Sequence, residues 1–279
     1  MSAHDASRAV VAIRPRTGWL DLGLDEVWRQ RELLYFLVWR DLKVRYSQAA
    51  LGTAWSIIQP VVAVTIFTVI FGLFAQLPSD GLPYPVFAFS AMLPWTYFSE
   101  AVRRSSLGLV GDGELVKKVY FPRLIIPMAN IFSPLMDFAV SLVALVVLML
   151  WYGMIPTLAI LAVPVLVALA ALMALSVGLL LGPVNVRYRD VMHTLPFLLQ
   201  IWMYATPIVY PLSMVPDRFK LLYSLNPAVG LIEGFRWAVL GRTEFPLTAL
   251  AISVVVTAAA LTAGLIWFKR EEREFADVI

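Results

Sequence analysis

One uncharged stretch constrains this chain more than any other feature. From position 138 to 186, no Asp, Glu, Lys or Arg occurs over 49 consecutive residues. Wound into a single helix it would be roughly 73 Å long, more than twice the hydrocarbon thickness of a bilayer. Tyr152, Gly153 and Pro156 are turn-type residues near its middle, so it reads as two membrane crossings with a short connection. The first of these extends backward through 124–137. Four further charge-free runs, 46–79, 81–99, 191–216 and 245–268, supply one crossing each. The pattern predicts an all-α integral membrane fold with six transmembrane helices, near 52–76, 84–108, 124–150, 157–182, 192–212 and 245–268. Hydrophobic residues make up 60% of the chain and charged ones 15%. That balance excludes disordered and fibrous chains and almost every soluble domain.

Orientation follows from where the 22 Lys and Arg residues fall. Eight precede the first span, five (Arg103, Arg104, Lys117, Lys118 and Arg123) run from the end of span two through its connection to span three, two lie between four and five, four between five and six, and three close the chain; positions 77–83 and 151–156 have none. The first five segments alternate, which places both termini in the cytoplasm under the positive-inside rule. Tails at 1–23 and 269–279 are then cytoplasmic, and the basic pI of about 9.2 reflects membrane topology, with no nucleic-acid partner implied. The first 45 or so positions lack the apolar core of a cleavable signal. The stretch 213–244 breaks the alternation, being external yet carrying Arg218, Lys220, Arg236 and Arg242. It reads either as an ordinary charged outer loop or as two re-entrant half-helices broken at Asn226 and Pro227. Broken backbone at membrane depth is tolerated only where it is buried or lines a cavity.

Residues 24–48 read as an amphipathic interface helix, with Val27, Leu34, Leu37 and Val38 near one face and Trp28, Tyr35 and Trp39 available as interfacial anchors. Its Arg40, Lys43 and Arg45 suit an anionic headgroup layer, either in a generic anchor or at a substrate entry. Between spans two and three, Asp112 is placed to cap a short helix with Glu114 in its first turn, Lys117 and Lys118 near its end, and Pro122 as its stop. Exposed Leu115, Val119, Tyr120 and Phe121, followed by Arg123, would make this helix an apolar knob. It would serve a cytoplasmic partner's groove or lie on the membrane surface. Trp95, Tyr97 and Phe98 in span two and Trp202 and Tyr204 in span five are either sugar-stacking surfaces or helix-packing residues. Asp137 is an acidic residue placed inside a span, which marks it either as functional or as a partner in an interhelical hydrogen bond.

Catalytic equipment is missing. None of the five Lys residues sits in a G-x-x-x-x-G-K-[ST] phosphate loop, and neither H-E-x-x-H nor G-x-S-x-G occurs. With 0 Cys and only His4 and His193, no cysteine or histidine metal cluster is expected. The chain reads as a non-enzyme.

Four blocks carry a resemblance: LVWRDLKVRYSQAALGTAWSIIQP (37–60), GELVKKVYFPRLIIP (113–127), NVRYRDVMHTLPFLLQIWMYATPIVYP (185–211) and SLNPAVGLIEGFRWAVLG (224–241). Their content and order resemble the membrane subunit of bacterial polysaccharide and polyol-phosphate ABC exporters, a type-2 ABC permease family, over about 24–268. The resemblance implies a transmembrane domain over 49–268 that forms a homodimer with two copies of a separate ATPase subunit in the inner membrane. It implies export of O-antigen, capsule or teichoic-acid chains on a lipid carrier. ATP and Mg would be held by the ATPase, with no cofactor on this chain. The segment 24–48 would be the interface helix. Residues 113–121 would form the coupling helix, with Glu114, Leu115, Lys117, Lys118, Val119, Tyr120, Phe121 and Arg123 meeting the ATPase. The region 217–241 would supply re-entrant helices, with Asn226, Glu233 and Arg236 as gate candidates beside the aromatic residues and Asp137. A drug or small-lipid exporter of the same fold, and a non-transporting scaffold for glycan assembly, are the rival expectations.

Overall fold

Among the described residues of the computed structural model (24–47, 54–241, 244–272 and 275), every regular element is helical. The predicted tail 1–23, most of the predicted tail 269–279 and the side chain of Arg45 lie outside the described part. The interface segment forms two helices, α1 (Leu24–Arg29) and α2 (Arg31–Ser47), parted at Gln30. Helix α2 turns Leu33, Leu34, Leu37 and Val38 toward the bundle, where it packs on α6 (Ile125–Phe132). Its Tyr35, Phe36 and Trp39 stay exposed.

Four helical stretches are long and apolar enough to cross a membrane: Ile57–Phe74, Ile125–Trp151, Leu158–Arg187 and Leu247–Glu271. The first comprises most of α3 (Trp55–Phe67) and a π-helical continuation, Thr68–Phe74. The second is broken into α6 and α7 (Leu135–Trp151) around Ser133 and Pro134. Ser133 keeps helical backbone; what interrupts the ladder is Pro134, whose missing N–H removes a helical bond. The third is a 3₁₀ turn, Leu158–Ala162, running into α8 (Val163–Arg187), and the fourth is α12 (Leu247–Glu271). Much of their surface is apolar and exposed, including Trp151, Ile155, Leu158, Val165 and Val255. Such a surface requires lipid or another protein chain.

The remaining two predicted spans differ from the rest. Helix α4 (Tyr84–Gly111) has 28 residues, about 42 Å, but carries Glu100, Arg103 and Arg104 and is largely buried. It is the central post, packed against α8, α6, α7 and α11 (Pro227–Leu240). The fifth predicted span, 192–212, is helical only over α9 (Val191–Tyr204), 14 residues or about 21 Å. The helix ends there because Thr206 precedes Pro207, and 205–211 continues as irregular chain.

Small residues set the helix spacing, as bundles in lipid require. A Cβ on Gly178 of α8 would collide with Ser105 of α4, and one on Gly230 of α11 with Ala249 and Ser253 of α12. Between α9 and α12 the chain forms α10 (Asp217–Ser224) and α11, joined at Leu225 and Asn226. At 8 and 14 residues, neither is long enough to cross a bilayer alone.

Candidate functional site

Two clusters tie the connecting segments to the central post, one at each end of α4. The first surrounds α5 (Gly113–Lys118), which starts where α4 stops. Asp112 makes no side-chain cap here, contrary to the sequence expectation. Its Oδ1 instead accepts from Arg40 Nη2 at 2.9 Å, and the same guanidinium also bonds Asp41 Oδ1 at 2.9 Å. The interface helix is thereby pinned to the start of α5. Burial pushes the Asp112 carboxyl above the usual aspartate range, and the Arg40 charge pulls it part of the way back. Arg40 is committed to these carboxylates, while Lys43 is exposed.

Beyond α5 the chain runs extended. Val119 and Tyr120 are exposed, Tyr120 by 71%, and Leu115 is half-buried. Phe121 corrects the expectation of an all-exposed knob: at 5% exposure it belongs to the core. An extended strand alternates its side chains between two faces, so Tyr120 and Phe121 point to opposite sides. Glu114 and Lys118 form an exposed pair at 2.7 Å, and Lys117 is also exposed. Arg123 is tied to the end of α12: its guanidinium donates to the Glu272 carbonyl, its backbone N–H donates to Glu272 Oε1 at 3.2 Å, and it lies over the Phe275 ring. Lys269 bonds the other Glu272 oxygen at 2.6 Å.

The second cluster sits where α4 begins. Arg236 is 1% exposed and pairs with Glu233 Oε1 at 2.8 Å. Its Nη2 donates to the Ile208 carbonyl at 2.9 Å, and its guanidinium carbon lies 3.8 Å from the Phe87 ring centroid. Tyr84 donates to the Val209 carbonyl at 2.8 Å. Asn226 caps α11 through its bond from the Ala228 N–H, accepts from Trp202 Nε1 at 2.8 Å, and donates to the Ala205 carbonyl and to Thr206 Oγ1, both at 3.1 Å. The irregular chain after α9 is thus held from three sides, by α4, by the α11 N-terminus and by the middle of α11. A cleft of about 590 Å³ opens beside it, lined by Trp202, Phe219, Leu222, Tyr223 and Pro227 among others.

Trp95, Phe98 and Trp202 form an aromatic triangle with centroid separations of 5.5, 6.2 and 5.1 Å. Trp95, Tyr97 and Phe98 are buried within this chain; Tyr97 donates to the Ile131 carbonyl and stacks edge-on against Phe138. Trp202 is half-buried and Tyr204 exposed. Asp137 is half-buried in the first turn of α7, where the positive end of the helix dipole favours a carboxylate. Among the described residues no group of three His, Cys, Asp or Glu could hold a metal. Sequence reasoning missed Tyr84 and Phe87, which look like ordinary span residues, and assigned Arg103 and Arg104 to a connection when they lie on α4.

The profile of the ABC-2 type transporter family matches residues 32–240. The chain is similar to the O-antigen export system permease protein RfbA of Myxococcus xanthus, 33% identical over 91% of this chain and 98% of the relative. It is similar to RfbA of Klebsiella pneumoniae, 28% identical over 89% and 95% of the two chains. It is also similar to the polysialic acid transport protein KpsM of Escherichia coli, 23% identical over 87% and 95%.

Proposed function

The chain belongs to the ABC-2 type transporter family, and from that premise we propose that it is the transmembrane subunit of an ATP-driven exporter moving a lipid-linked polysaccharide across the bacterial inner membrane. The observation that carries this reading is the end-to-end similarity to O-antigen export permeases, which covers 91% of this chain and 98% of the relative. A drug or small-lipid exporter need not share that whole length, and a scaffold needs no route through the membrane.

The finer assignments rest on the geometry. We place six crossings, counting with the four apolar stretches α4 and, as the sixth, α9 completed by the irregular 205–211 chain, and both termini on the cytoplasmic side. Two copies form the conduit; the exposed Phe197, Leu198, Ile201 and Tyr204 of α9 are the face for the second copy. Each copy takes one separate ATPase, which binds ATP and Mg. The α5 knob enters a cleft of the ATPase through Val119 and Tyr120, with Glu114, Lys117 and Lys118 at its rim. Closure of the ATPases pulls on α5, and the Arg40–Asp112 bond passes that motion to the interface helix, where Lys43 and Arg45 meet the headgroup layer. At the outer side, α10 and α11 with the 205–211 chain act as the gate, and Asn226, Glu233 and Arg236 hold its resting shape.

Depletion of the protein in its native cells tests the reading. Finished, carrier-linked polymer should accumulate on the cytoplasmic side of the inner membrane. Normal surface polymer without internal accumulation would reject it.

A further inference from the structure

Three charges share one turn of α4. Glu100 accepts from Arg103 through Nε at 2.8 Å and Nη2 at 2.7 Å, and from Arg104 through Nε at 2.6 Å. One carboxylate holds two guanidinium groups, so the cluster is net positive, and among the described residues Arg103 Nη1 has no partner. The cluster borders a cleft of about 260 Å³ between α4 and α9. Helix α4 contributes Trp95, Ser99 and Arg103, four residues apart and so on one face. Helix α9 contributes Leu199, Gln200 and Met203.

The cleft is graded along its length. Trp95 lies 6.2 Å from Trp202, which sets the apolar end beside Met203 and leaves Arg103 at the other end, about 12 Å away by helical rise. Ser99 and Gln200 lie between. A guanidinium at one end, a hydroxyl and an amide next to it, and an aromatic and aliphatic wall beyond them fit one class of ligand: a phosphate carrying a hydrocarbon chain. With Nε and Nη2 of Arg103 taken by Glu100, the Nη1 amino group is the donor that remains for a phosphate. Arg40, the sequence candidate for this role, faces two carboxylates, Asp41 and Asp112, with one guanidinium, whereas Arg103 and Arg104 share a single one.

Building on the proposed export function, we infer that the α4–α9 cleft binds the lipid phosphate that carries the glycan. Arg103 takes the phosphate, Gln200 is a second donor, and Leu199, Met203 and Trp95 receive the first part of the chain. Glu100 is the positioning residue that holds Arg103 in the cleft wall. A bilayer phospholipid offers the same chemistry, and the test separates the two sources.

The full-length chain, purified in detergent, is titrated by native mass spectrometry with a polyprenyl phosphate, with the matching polyprenol, and with phosphatidylglycerol. Polyprenyl phosphate should bind and polyprenol should not. Arg103→Gln should weaken binding about tenfold, the scale of a lost charged hydrogen bond. Gln200→Leu, on the opposite wall and independent of the Glu100 cluster, should weaken it about threefold. Lys220→Gln removes one unit of charge from α10, outside the lining of the cleft, and should change nothing. Equal binding of the polyprenol overturns the inference, as does binding unchanged in both cleft variants. Phosphatidylglycerol binding as tightly as polyprenyl phosphate overturns the assignment to the glycan carrier. Cleft binding without glycan accumulation on depletion would reject the export function and keep the site; accumulation without cleft binding would do the reverse.

Discussion

At the start of α4 the ties between segments are buried; at its end they are half-exposed. Arg236 and Glu233 have side-chain exposures of 1% and 13%, and bonds from Tyr84, Asn226 and Arg236 hold the irregular chain after α9. Arg40 and Asp112 have exposures of 35% and 22%. Buried polar networks specify a single geometry and are costly to break, whereas partly solvated pairs are weak and exchange readily with water. Under the function proposed above, this difference suits a closed gate on the outer side and a joint on the cytoplasmic side that moves in each cycle.

The sharpest way to break that comparison is Arg236→Met. It leaves Glu233 buried without its partner, takes the donor from the Ile208 carbonyl and removes the cation over Phe87. A loss of about 3–5 kcal/mol is expected, seen as a large fall in the unfolding midpoint of the detergent-purified chain. Adding Glu233→Gln should restore a substantial part, because a buried charge without a partner costs more than a missing pair. A single variant as stable as the wild type would remove the outer network from the argument.

Asn226→Ala should have the next largest effect. It deletes the α11 cap, about 1 kcal/mol, and unties α9 through Trp202 and the Ala205 carbonyl. About 2 kcal/mol in all is expected, together with leak of small solutes through vesicles containing the protein. Loss of stability without leak would confine Asn226 to a capping role.

The cytoplasmic pair sharpens the contrast from the other side. Burial raises the folded-state pKa of Asp112 above its unfolded value. Its favourable contribution is therefore complete below about pH 4 and is lost as pH rises through the raised pKa. Asp112→Asn should thus change stability by less than about 1 kcal/mol at neutral pH, and Arg40→Gln somewhat more, since it strands the carboxylate. Both should lower the amount of glycan exported per ATP hydrolysed. Unchanged coupling in both variants would make the contact a mere surface ion pair.

How much of this was legible in the sequence depended on what each residue contrasts with. Long apolar runs announced the helical membrane fold, because nothing in a soluble fold resembles a 49-residue charge-free stretch. The end of α9 at Tyr204 was hidden because chain held at membrane depth by side-chain bonds is as free of charge as a span. The break at Ser133 and Pro134 was visible only as one of two prolines, with Pro127, inside an apolar run, where prolines also sit within intact helices, as Pro94 does in α4. Arg103 and Arg104 looked like connection charges, since only the run of α4 to Gly111 shows that they stay on the helix. Asn226 could be singled out, because Asn-Pro marks a helix start, but three of its four partners come from α9 and the irregular chain after it.

The smallest effect on stability is expected at the tip of the α5 knob, and it separates docking from folding most cleanly. Tyr120 is 71% exposed and its neighbour Phe121 is 5% exposed. Tyr120→Ala should leave stability within about 0.5 kcal/mol, while Phe121→Ala should cost about 3–5 kcal/mol through the cavity it opens. A joint Tyr120 and Phe121 replacement would confound the two effects, so the single variant is the informative one. If the ATPase docks here, Tyr120→Ala lowers export and weakens association with the ATPase while the unfolding midpoint stays fixed. If Tyr120 lies instead against the membrane surface, association and export are unchanged, and the coupling role must pass to other residues of 113–123.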